Sequence, residues 1–75
     1  MQNAIDLENR QQIMASATVD PVEGLPETWD VEVWGGVYGE DAILRRKYRI
    51  SAEKDDNAAQ EGIRLFVDEM ERLLL

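Results

Sequence analysis

Trp29-Asp30-Val31-Glu32-Val33-Trp34, followed by Ile43-Leu44-Arg45-Arg46-Lys47-Tyr48-Arg49-Ile50-Ser51-Ala52, is the stretch that decides the fold. Side chains alternate across an extended strand. In the first run Trp29, Val31 and Val33 fall on one side, with Asp30, Glu32 and Trp34 on the other. In the second run Leu44, Tyr48, Ile50 and Ala52 share a side, opposite Arg45, Lys47, Arg49 and Ser51. Each run therefore predicts a strand with one apolar face. The segment between them, Gly35-Gly36-Val37-Tyr38-Gly39-Glu40-Asp41, is rich in turn formers and predicts a chain reversal. Pairing residues 29–52 as a β-hairpin brings the apolar faces together. It also sets Asp30 and Glu32 against Arg45, Lys47 and Arg49, and such cross-strand charge pairs contribute about 0.2–1 kcal/mol each.

Working outward towards higher numbers, residues 56–74 predict an amphipathic helix. Ala59, Ile63, Phe66, Val67, Met70, Leu73 and Leu74 recur at three- and four-residue spacing, and Gln60, Glu61, Arg64, Asp68, Glu71 and Arg72 fill the opposite side. Asp55 or Asp56 offers a capping oxygen, and acids there suit the positive helix N-terminus. Glu61 with Arg64, and Asp68 with Arg72, stand at supportive spacings. Gly62 costs about 1 kcal/mol against alanine inside a helix. Its place beside the apolar stripe predicts close approach to the sheet.

Working outward towards lower numbers, Asp20 to Thr28 predicts a loop, punctuated by Pro21, Gly24 and Pro26. Residues 1–20 form a weakly specified segment. Ala4, Leu7, Met14 and Ala17 fit one helical face with Asn3 as cap, but Gln11 interrupts that stripe. The reading is a short helix over residues 4–12. Residues 13–19 stay open between a helix end and a strand, because Ile13, Ala15, Ala17 and Val19 alternate with Met14, Ser16 and Thr18. The expected fold is α+β: a small antiparallel sheet, a hairpin or three strands, packed against the later helix in one domain spanning residues 1–75.

Composition narrows the function classes. The chain of 75 residues has no cysteine and no histidine. Disulfides, thiolate nucleophiles and imidazole bases or ligands are thereby excluded. A chain of this length buries roughly 60% of its unfolded surface. Met1–Asp6 lacks the basic and apolar runs of a signal peptide, and no apolar run approaches the roughly 18 residues of a membrane span. The expectation is a cytoplasmic protein without membrane contact. Net charge is −8, distributed unevenly: residues 1–44 hold one base and nine acids, whereas residues 45–50 hold four bases and no acid. An acidic field disfavours nucleic-acid phosphates.

Several groupings invite chemistry and have plainer readings. Glu53, Asp55 and Asp56 lack the ligand spacing of a calcium loop and read as a solvated helix start. Sixteen acids make carboxylate pairs inevitable, so pairs alone do not indicate hydrolysis. Gly35–Gly39 is followed by acids and a strand rather than by a lysine and a helix, so it reads as a flexible hairpin tip and not a phosphate cradle. The basic patch Arg45, Lys47 and Arg49 could grip phosphates beside Trp34 and Tyr38; neutralisation by Asp30 and Glu32 is the plainer account. No catalytic residue, metal ligand or cofactor is expected.

Tyr48-Arg49-Ile50-Ser51-Ala52 leading into Ala58-Ala59-Gln60-Glu61-Gly62-Ile63 resembles the strand-then-helix half of double-stranded-RNA-binding domains. That resemblance implies an α+β shape. The lysines expected at the helix start in that family are replaced by Asp55, Asp56 and Asn57, which argues against the RNA function. The short, acidic, cysteine-free composition also resembles reading frames of phages and mobile elements. Trp34 falls on the side away from the helix, and Leu73, Leu74 and Leu75 exceed what one helix face buries. Trp34, Tyr38, Leu73 and Leu75 are therefore the candidate interface. The expectation is a non-enzymatic protein-interaction module, self-associating as a homodimer or binding another protein. The alternative is an acidic mimic of a nucleic-acid backbone that inhibits a DNA- or RNA-binding protein.

Overall fold

The computed structural model describes residues 2–6 and 12–74, with side chains from Ile13 to Leu73. Among the described residues four strands precede one helix: β1 Gln2–Asp6, β2 Gln12–Pro21, β3 Thr28–Val37, β4 Leu44–Ser51 and α1 Asp55–Leu74. The sheet is an antiparallel meander in the order β1-β2-β3-β4. The helix packs on β2, β3 and β4 and, among the described residues, does not touch β1.

The predicted hairpin is present, with the expected pairing. Asp30 stands opposite Arg49, Val31 opposite Tyr48 and Glu32 opposite Lys47. Its strand β3 runs further than expected, however. Gly35, Gly36 and Val37 remain in the sheet, and the chain turns only at Tyr38-Gly39, where Gly39 takes a positive φ of 89°. The reason is close packing. A side chain at Gly35 would collide with the backbone carbonyl of Met14 on β2, so the glycines let the strands approach rather than freeing a loop.

The N-terminal helix is corrected. Residues 2–6 form β1, paired Ala4 to Met14 and Ile5 to Ile13; residues 7–11 lie outside the described residues. The open question over 13–19 resolves as strand. Ile13, Ala15 and Ala17 are buried under the helix, whereas Ser16 and Thr18 face the other way. Period-two burial thus outweighs the thin helical stripe that Gln11 already broke. The loop is correspondingly shorter, since Asp20, Pro21 and Thr28 belong to strands.

The core lies between the sheet and α1: Ile13, Ala15, Val31, Val33 and Ile50 below, Ala58, Ile63, Phe66, Val67 and Met70 above. Burying side chains of this size contributes about 1.5–3 kcal/mol each for the larger ones. Trp29 reaches the core margin and donates its indole N–H to the Ala52 carbonyl at 2.9 Å. That bond ties the start of β3 to the link between β4 and α1. At the start of α1 the Asp55 carboxylate accepts the Asp56 N–H at 2.8 Å. Among the described residues no helix is long and apolar enough to cross a membrane.

Candidate interaction surface

The sheet face away from the helix carries Met14, Ser16 and Thr18 from β2, Asp30, Glu32 and Trp34 from β3, and Arg45, Lys47 and Arg49 from β4. Trp34 lies between Ser16 on one side and Arg45 on the other. The Arg45 guanidinium stacks over its ring, 5.4 Å from the centroid. This contact, of the order of 0.5–1 kcal/mol at an exposed site, leaves the indole half-buried within its own chain.

The basic patch is held by carboxylates. Arg49 donates from Nε and Nη2 to Asp30 at 3.0 and 3.3 Å. Arg45 approaches Glu32 at 3.4 Å. The Arg49 guanidinium holds the Asp30 carboxyl below its ordinary range, and Asp30 in turn raises the arginine. Lys47 stands between these pairs with no ion pair among the described residues.

Arg46, left out of the predicted patch, turns to the opposite face with Leu44 and Tyr48. Its Nε donates to both Glu69 oxygens, at 3.1 and 3.0 Å, and so links β4 to α1. Its even register with Leu44 was the available signal. Burial, followed by the charge of Glu69, pushes the Tyr48 hydroxyl above its ordinary pKa. On the outer helix face Arg64 bridges Glu61 and Asp68 at 2.7 and 3.0 Å. Asp68 therefore pairs backwards to Arg64 rather than forwards to Arg72, and Arg64 pulls the Glu61 carboxyl down.

The other candidates gather at one end of the molecule, where the β3–β4 connection meets the far end of α1. Tyr38, Ile43 and Leu73 are 69%, 68% and 62% exposed there. Ile43 and Leu73 flank an apolar groove of about 370 Å³ that is floored by Val37, Leu44 and Met70. A second groove of about 280 Å³ lies on the open sheet face and joins Tyr38 and Ile43 to Trp34. Ile43 lines both grooves, together with Val37, Glu40 and Ala42, and sequence reasoning placed it in a strand instead. Leu75 lies outside the described residues. Among the described residues no three acids converge as a metal site.

Neither the protein-family models, nor the curated proteins, nor the solved structures yield a match to this chain. Its functional reading rests on the surface just described.

Proposed function

We propose that this chain is a non-enzymatic protein-interaction module that meets its partner, or a second copy of itself, through the Tyr38, Ile43 and Leu73 end. One observation carries the reading: Ile43 and Leu73, each more than three-fifths exposed, line a groove with apolar walls, and the equally exposed Tyr38 lines the second groove, which Ile43 also enters. Isolated exposed apolar residues are ordinary; a contiguous group around a concavity marks an interaction site. Trp34 extends that surface along the sheet through the second groove.

The test is sedimentation equilibrium at micromolar concentration, with the unmodified chain and Ile43→Asp/Leu73→Asp side by side. A species heavier than 8.6 kDa that reverts to 8.6 kDa in the double variant supports self-association through this end. If the unmodified chain is itself monomeric, a pull-down from the native host repeats the comparison for a foreign partner. Recovery of the same partner by the double variant would sink the proposal.

A second reading draws on a different end. Glu23, Glu27, Glu53, Asp55 and Asp56 are all exposed where the β2–β3 loop meets the start of α1, and the Ala52 N–H bonded to the Glu27 carbonyl at 2.9 Å holds the two segments together. That arrangement favours the backbone-mimic alternative. Mimicry predicts binding that falls steeply with salt, whereas an apolar interface does not.

A further inference from the structure

Strand β4 ends the sheet, and among the described residues nothing pairs with its outer side. Alternate residues of an antiparallel strand turn their N–H and C=O groups towards the same neighbour. Ala52, which follows β4, donates its N–H inward to Glu27 at 2.9 Å. By parity Ile50, Tyr48 and Arg46 also turn inward. Arg49, Lys47 and Arg45 turn their backbone groups outward, and the Arg45 carbonyl already accepts Arg46 Nη1 at 3.0 Å. The residues with outward amides are thus the ones whose cationic side chains stand on the open face.

This coincidence selects an occupant. A second copy pairing antiparallel through β4 would set Arg45 against Arg49 and Lys47 against Lys47. Like charges directly opposite are destabilising, and cations on an edge are a common guard against such pairing. A strand of alternating acids has the reverse effect, and β3 already demonstrates it. Its Asp30 and Glu32 stand opposite Arg49 and Lys47 on the inner side of β4. The geometry points to a docking site for an extended acidic segment of another protein, added as a fifth strand beside β4. Its alternate carboxylates face Arg49, Lys47 and Arg45, and its intervening apolar residues face Tyr48. Addition of a strand to a sheet edge takes affinity from backbone hydrogen bonds and specificity from every second side chain. The edge adjoins the surface proposed above at Arg45, which stacks on Trp34; amide protection at Lys47 and Arg49 reports the edge alone, so the inference stands whether or not the Tyr38, Ile43 and Leu73 end binds.

The test uses a blocked synthetic peptide of alternating Glu and Val, about seven residues long, titrated into the full chain. A block peptide of the same composition, with its acids together, is the control. Amide hydrogen exchange followed by NMR is expected to slow at Lys47 and Arg49 with the alternating peptide. The block peptide is expected to bind several-fold more weakly. Lys47→Pro removes an outward N–H without touching the inner ladder and should weaken binding about tenfold; Lys47→Gln, which keeps the N–H, should weaken it less. Equal binding of both peptides, or binding without amide protection at Lys47 and Arg49, would reduce the edge to a non-specific cationic surface and overturn the proposal. So would the absence of binding at millimolar peptide.

Discussion

A methyl group added at Gly62 would sit 2.6 Å from Val31 Cγ1, closer than packed carbon atoms come. Helix propensity alone favours alanine here by about 1 kcal/mol. Overpacking a core costs about 1–3 kcal/mol, and Val31 is fully buried with a stiff β-branched side chain, so overpacking wins. Gly62→Ala should therefore lower the urea midpoint rather than raise it, with a net loss of stability of about 1 kcal/mol. The position of Gly62 beside the apolar stripe was legible in the sequence, but the identity of the residue beneath it was not, because that depends on register. Two residues set opposite pH limits. Tyr48 has a raised pKa, caused first by burial and then by Glu69. Its contribution is complete below the ordinary tyrosine range, about pH 10, and is lost as pH rises through the raised value. Asp30 is lowered by Arg49, so its contribution is present above about pH 4 and is lost as pH falls. Denaturant midpoints measured across pH should fall at both extremes. Tyr48→Phe should flatten the alkaline limb alone, and Asp30→Asn part of the acid limb.

Between elements, Arg46 and Tyr48 of β4 both reach Glu69 of α1, the arginine at 3.0 Å and the tyrosine hydroxyl at 3.5 Å. The Arg46 and Glu69 side chains are both more than a third exposed, so solvent screens the pair. A double-mutant cycle with Arg46→Ala and Glu69→Ala should give a coupling of about 0.5–1 kcal/mol that shrinks with added salt. A coupling that does not depend on salt would mean that packing of the arginine stem, not charge, joins strand to helix. The strands and the helix differ in how far their sequences declare them. Alternation in Trp29–Trp34 and periodicity from Ala59 to Met70 are local signals and both held, whereas Leu73, counted in the same stripe, is exposed. The extent of β3 was hidden, because Gly35 and Gly36 carry turn chemistry in sequence and are strand only through contact with Met14 and Ala42. β1 was hidden for the same reason: its five residues take their form from pairing with β2.

Across the whole molecule the net charge of −8 sets how copies meet. Two such molecules repel, and salt shortens that repulsion to about 8 Å at physiological ionic strength. Self-association through the Tyr38, Ile43 and Leu73 end should strengthen as salt rises, measured by sedimentation between 20 and 500 mM sodium chloride, roughly the span from weak to strong screening. Weakening over the same range would move the contact to charged residues. Of this surface, Tyr38 and Leu73 were legible as unburied apolar residues. Ile43 was not, since the strand alternation that placed it stops one residue short, at Leu44. The order of the elements has a consequence during synthesis on the ribosome. The sheet leaves the exit tunnel before its cover does, so Ile13, Val31 and Val33 stay wet until Ile63 and Phe66 have been made and have coiled back over them. A chain cut between Ser51 and Asp55 would present that bare surface to chaperones and to other copies.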